Sequence, residues 1–82
     1  MNNELKWVID HTSVVKEYPN ECVEKSFKGK ITYKMAMAII LKNEWEKVDE
    51  YSSHLWYASK MNMGLSYNEK TGILDFTMTV AI

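Results

Sequence analysis

The stretch NEWEKVDEYSSHLWYASKM, Asn43 to Met61, is where the chain changes its hydrophobic period, and the reading of its first half decides the fold. Upstream, Thr32 is suited to cap a helix, and Met37, Leu41, Trp45 and Val48 fall on one stripe with Ile40 beside it. Asn43 admits two readings. As a left-handed cap it would stop the helix and let a strand begin at Trp45. Otherwise the helix continues to about Glu50, with Glu44, Glu46, Lys47, Asp49 and Glu50 as its polar face. The low β-propensity of EWEKVDE favours continuation, and the expected central helix covers about residues 32–50. Its first half, Met35 to Leu41, is apolar nearly all round, the pattern of a helix buried on more than one side.

After Tyr51 the period is two. Extended backbone sends Leu55, Tyr57 and Met61 to one face, and His54, Trp56, Ala58 and Lys60 to the other. The last strand is the clearest signal: Leu74, Phe76, Met78, Val80 and Ile82 alternate with Ile73, Asp75, Thr77, Thr79 and Ala81. Before it, NEKTG (Asn68–Gly72) reads as a hairpin loop with glycine at a left-handed position and a partner strand over about Gly64–Tyr67. The expected architecture is a single α+β domain over residues 1–82, its central helix packed on a C-terminal antiparallel meander over about 54–82. Leu74, Phe76, Met78 and Val80 should meet the stripe of Met37, Leu41 and Trp45. The Leu55 set, being more apolar, should join that core. His54, Trp56 and Lys60 then share an outer face, covered at most by the N-terminal segment with Trp7 as its lid.

That segment is ambiguous. Leu5, Val8, Ile9, Thr12 and Val15 recur at helical spacing, whereas Leu5, Trp7 and Ile9 also fit a strand; helix is the preferred reading. Pro19 ends whatever precedes it and pushes Tyr18 towards extended backbone. Asn20 then caps a short turn carrying Cys22, Val23 and Phe27, closed by Gly29.

Composition narrows the function classes. Hydrophobic residues are 46% of the 82 and aromatic residues 12%, which supports a packed core. Charged residues at 26% and a single proline argue against disorder. A net charge of −1 excludes both a strongly basic nucleic-acid binder and a densely acidic DNA mimic. One cysteine excludes an internal disulfide, MNNELKWVID lacks the pattern of a signal peptide, and MAMAIIL is too short to span a bilayer. A cytoplasmic protein is expected. All ten basic residues are lysine, which weakens any function built on bidentate arginine contacts. An AT-rich coding bias gives the same depletion.

Chemistry is sparse. Asp10, His11 and Cys22 are close enough in sequence for a thiol enzyme to be one reading, without a surrounding signature. No C-x-x-C or H-x-x-x-H spacing points to a metal, no glycine-rich loop cradles phosphate, and no cofactor is implied. Ser52 and His54 lack an acid. The segment EKSFKGKITYK sets Lys25, Lys28, Lys30 and Lys34 among Phe27 and Tyr33, a combination able to hold a single nucleic-acid strand by charge and stacking. A neutral chain with ten aromatic residues points instead to protein binding, since tyrosine and tryptophan dominate interface hot spots.

The expected interface comprises Tyr51, His54, Trp56 and Lys60, with Glu46, Asp49 and Glu50 steering a basic partner surface. The most concrete version is a small inhibitor or adaptor of the kind phages and mobile elements encode against host defence proteins, anti-CRISPR proteins included. A nucleic-acid regulator using Lys25–Lys34 is the alternative. A homodimer is left open.

Overall fold

A computed structural model describes the backbone of residues 3–43, 45, 47–52 and 55–82, and the side chains of all of these except 47–52. Among the described residues there are two helices and six strands. In chain order they are α1 (Asn3–Asp10), β1 (Ser13–Tyr18), β2 (Cys22–Lys30), α2 (Tyr33–Lys42), β3 (Lys47–Ser52), β4 (Leu55–Lys60), β5 (Met63–Asn68) and β6 (Ile73–Ala81). The strands form one sheet in the order β1-β2-β6-β5-β4-β3, every neighbouring pair antiparallel. The chain makes a β1–β2 hairpin, crosses the sheet through α2 to the far edge, and returns by a meander that ends with β6 against β2. The domain is α+β, with its helix on a C-terminal antiparallel meander as the hydrophobic pattern implies.

The N-terminal ambiguity resolves into both elements. Leu5 and Val8 bury one side of α1. His11 N–H then donates to the Trp7 and Val8 carbonyls, and the Thr12 hydroxyl donates to the Ile9 carbonyl at 2.7 Å. Those bonds occupy the last-turn acceptors, and the chain leaves as strand β1. Val15, assigned by its spacing to a helix, is an exposed residue at a bulge in that strand. The expected capped turn after Asn20 is likewise corrected. Pro19–Glu21 is a three-residue hairpin loop, with Tyr18 opposite Cys22. Cys22 to Lys30 is a strand paired along its whole length with β6.

Thr32 caps α2 as expected: its backbone is extended and its hydroxyl accepts the Met35 N–H at 3.1 Å. The expected continuation to Glu50 is overturned. Asn43 is buried, and its side-chain amide donates to the Ile39 carbonyl at 2.8 Å. The Trp45 indole N–H donates to that same carbonyl at 2.8 Å. With the last turn closed by side chains, the residues from Lys47 onward become an edge strand on β4 in spite of their poor β-propensity, because tertiary pairing outweighs a weak local preference. Asn43 does this at φ −102°, so it stops the helix by its amide and not by a left-handed backbone.

The NEKTG hairpin is as read. Asn68 Oδ1 accepts the Lys70 and Thr71 amides, Gly72 sits at φ 76°, and its N–H returns to the Asn68 carbonyl at 2.7 Å. Leu74 and Phe76 are fully buried and Met78 packs on the core. Their helix partners are corrected in part: Met37 packs at the margin of the core as expected, but Ala36, Ile39 and Ile40 fill it, while Leu41 is 65% exposed. Trp45 does join the core, but from beyond the helix end.

The faces of β4 are the reverse of those expected. Ala58 lies opposite Leu65, which lies opposite Phe76; Trp56 lies opposite Tyr67, which lies opposite Leu74. Residues directly opposite share a face. Trp56 and Ala58 therefore join the core, while Tyr57 is 40% and Met61 85% exposed. α1 and α2 pack against each other and both contribute to that single core. Trp7 is no lid on the opposite face: it stacks on His11 at 3.9 Å and meets Phe27, itself packed on the core, edge-on at 5.6 Å.

Candidate functional site

Of the residues expected to form an interface around β4, only Trp56 and Lys60 have described side chains. The Trp56 ring packs on the core and its indole N–H donates to Glu69 Oε1 at 2.8 Å. Lys60 Nζ donates to the Asn43 carbonyl at 2.7 Å, tying β4 to the end of α2. Both side chains are engaged within the fold, and Trp56 is half-buried. Asp49, Glu50 and Tyr51 belong to edge strand β3, where Asp49 lies opposite Tyr57 and Glu50 opposite Trp56. The expected acidic helix face therefore does not exist. Glu46 and His54 lie outside the described residues.

The lysine segment is split by the pleat. Lys28 and Lys30 alternate to the sheet face away from the helices, Lys28 lying opposite Asp75. Lys25 falls on the other face, and Lys34 is on α2. Phe27, wanted for base stacking, packs on the core. A continuous basic track with interleaved rings is not formed by these residues.

Cys22 and His11 are also kept apart. Cys22 lies opposite Tyr18, whereas Ser13, just after His11, lies opposite Ser26. Four strand residues separate the two ends, roughly 13 Å at 3.3 Å per residue. His11 Nδ1 instead contacts the Trp7 carbonyl at 2.7 Å. The described residues contain no group of three His, Cys, Asp or Glu placed to hold a metal ion, and no helix long and apolar enough to cross a membrane.

What the fold does assemble lies on α2. The sheet uses one side of this helix, through Ala36, Ile39 and Ile40, and α1 packs beside it. The remaining side carries Tyr33, Met37 and Leu41 at four-residue intervals, a single stripe. Tyr33 is 55% and Leu41 65% exposed, and Met37 is half-buried. The stripe lines an open groove of about 630 Å³. Ala38 is its most buried residue, Met35 adds apolar surface, and Lys34, Lys42 and Glu4 of α1 bring its charges.

The signal for this groove was present in the sequence. MAMAIIL is apolar nearly all round, and one sheet face can cover only part of such a helix. The sheet and α1 between them bury more than one side of α2, and among the described residues Tyr33 and Leu41 stay more than half exposed. The chain matches no family model, no curated protein and no solved structure.

Proposed function

We propose that this chain is a non-enzymatic protein that acts by binding another protein through the outward side of α2. The observation that carries the reading is the stripe of Tyr33, Met37 and Leu41, whose two ends are more than half exposed although Met37 between them touches the core. Contiguous exposed apolar surface of this kind marks interaction sites. Tyrosine and methionine are also enriched at interface centres. In its most concrete form the chain is an inhibitor or adaptor of a host defence protein, of the anti-CRISPR kind, a version supported by small size and composition. A single free cysteine suits a reducing cytoplasm. The second reading, nucleic-acid binding, is favoured only by Lys28 and Lys30 sharing one sheet face.

The experiment is an affinity capture from the source cell, with and without nuclease, comparing the parent with Leu41→Asp. Leu41 is exposed, so the substitution should alter stability by less than about 1 kcal/mol. A partner that survives nuclease and is lost with Leu41→Asp is the expected result. A partner lost on nuclease treatment, and insensitive to Leu41→Asp, would transfer the function to the lysines of β2.

A further inference from the structure

Resting on the α2 docking reading, we infer that the occupant of the groove is an acidic amphipathic helix of the partner protein. Three other occupants fit less well. A small apolar ligand is normally buried over most of its surface, in a pocket that closes around it. Here Tyr33 and Leu41 remain more than half exposed, so such a ligand would keep much of its surface in water.

A second copy of this chain is opposed by charge. Antiparallel packing of α2 on α2 about Ala38 brings Lys34 of each copy against Lys42 of the other; parallel packing stacks each lysine on its own counterpart. Either arrangement sets like charges beside an apolar contact, where they are least screened. A basic helix meets the same repulsion.

The two lysines themselves complete the argument. Lys42 lies in the last turn of α2, where a cation complements the helix dipole. Lys34 lies in the first turn, where that dipole disfavours a cation, so helix stability does not explain it. Neither forms an ion pair with any described residue. They stand eight residues apart, roughly 12 Å along the helix at 1.5 Å per residue. Acids two turns apart on a facing helix match that separation, with apolar residues of the same helix lying over Tyr33, Met37 and Leu41. The thioethers of Met35 and Met37 let the groove re-pack around such side chains. Glu4, on the α1 side, would favour a lysine at the far edge of the same partner helix.

The test is a titration of isotope-labelled protein with two synthetic helical peptides of about 18 residues. Both carry the same leucine stripe, one with glutamates flanking it and the other with lysines. The acidic peptide should bind at least about tenfold more tightly, lose affinity as salt rises from about 50 to 500 mM, and shift the α1 and α2 amides. Lys34→Glu combined with Lys42→Glu should reverse the preference; both sites are exposed, and circular dichroism confirms the fold of the variant. Equal binding of the two peptides, preference for the basic one, shifts confined to the sheet, or no binding of either each overturns the inference. A parent protein that self-associates through α2 overturns it as well. The docking reading fails separately: it falls if Leu41→Asp still captures the partner, and survives if that variant loses it while no acidic peptide binds.

Discussion

The indole N–H of Trp56 donates to Glu69 Oε1 at 2.8 Å, joining the middle of the meander to the loop between its last two strands. The bond lets a large half-buried ring sit against Tyr67 and Leu74 without stranding its polar atom. Trp56→Ala should therefore cost about 3 kcal/mol of stability, while Glu69→Gln, which keeps an acceptor, should cost under about 1 kcal/mol. Denaturant unfolding of the two variants measures both. An alanine variant as stable as the parent would return Trp56 to the surface.

The end of α2 gives a second prediction. Asn43 donates its amide to the Ile39 carbonyl while its own carbonyl accepts Lys60 Nζ, so one buried residue holds the helix end and β4 together. Asn43→Ala removes the amide and should destabilise by about 1–3 kcal/mol. Asn43→Gly discriminates further. At a left-handed cap glycine would be neutral or better, but at φ −102° it gains nothing and loses the same bond. Glycine should thus be at least as harmful as alanine, and a stabilised glycine variant would refute the side-chain cap.

The hairpin loops make the opposite kind of prediction. Glu21 at φ 62° and Met61 at φ 51° occupy the left-handed region without being glycine, whereas Gly72 at φ 76° is suited to it. Glu21→Gly and Met61→Gly should each stabilise by about 0.5–1.5 kcal/mol, the strain of a side chain being relieved at exposed positions. Gly72→Ala should destabilise by a similar amount. A rise in denaturation midpoint for the first two and a fall for the third is the expected pattern; a fall for either glycine variant would show that its side chain makes a contact worth more than the strain.

The last three strands and the start of α2 were legible because their signals are local: alternation in β6, turn chemistry at Asn68–Gly72, and a Thr32 cap; β1, β2 and β3 were read as helix or turn. What misled was a choice of face made from composition alone. Leu55, Tyr57 and Met61 are more apolar than Trp56, Ala58 and Lys60, yet the hairpins dictate the opposite. Starting from Leu74 and Phe76 inward, the Asn68–Gly72 loop sets Leu65 and Tyr67 inward. The two-residue turn at Met61–Asn62 then sets Trp56 and Ala58 inward. Loop lengths carried this register in the sequence itself. The end of α2 was not legible in that way. It depends on two donors, Asn43 and Trp45, meeting one carbonyl, an event of tertiary geometry that propensity does not encode. The candidate site followed from the same limit: an all-round apolar helix announces a second cover, but only the fold shows which side is left open.

Tyr67 supplies a prediction in pH. Its ring is buried in the core, its hydroxyl reaches the Ile31 carbonyl at 3.4 Å, and burial, then the nearby charge of Glu69 and of Tyr33, pushes it above the ordinary tyrosine value. The folded state therefore holds this proton more tightly than the unfolded chain, whose tyrosines titrate near 10. The stability associated with that proton is fully present below about pH 10 and is lost as pH rises from there through the folded value. Tyr67→Phe keeps the ring and removes the titration, along with one long hydrogen bond contributing under about 1 kcal/mol. At pH 7 the variant should match the parent or fall slightly below it. Above about pH 10 the parent should lose stability faster, and the two curves should converge or cross. Every other ionisable group is common to the two proteins, so the difference between the curves isolates Tyr67. Melting temperatures that decline in parallel over that window would mean that the hydroxyl is exposed to water.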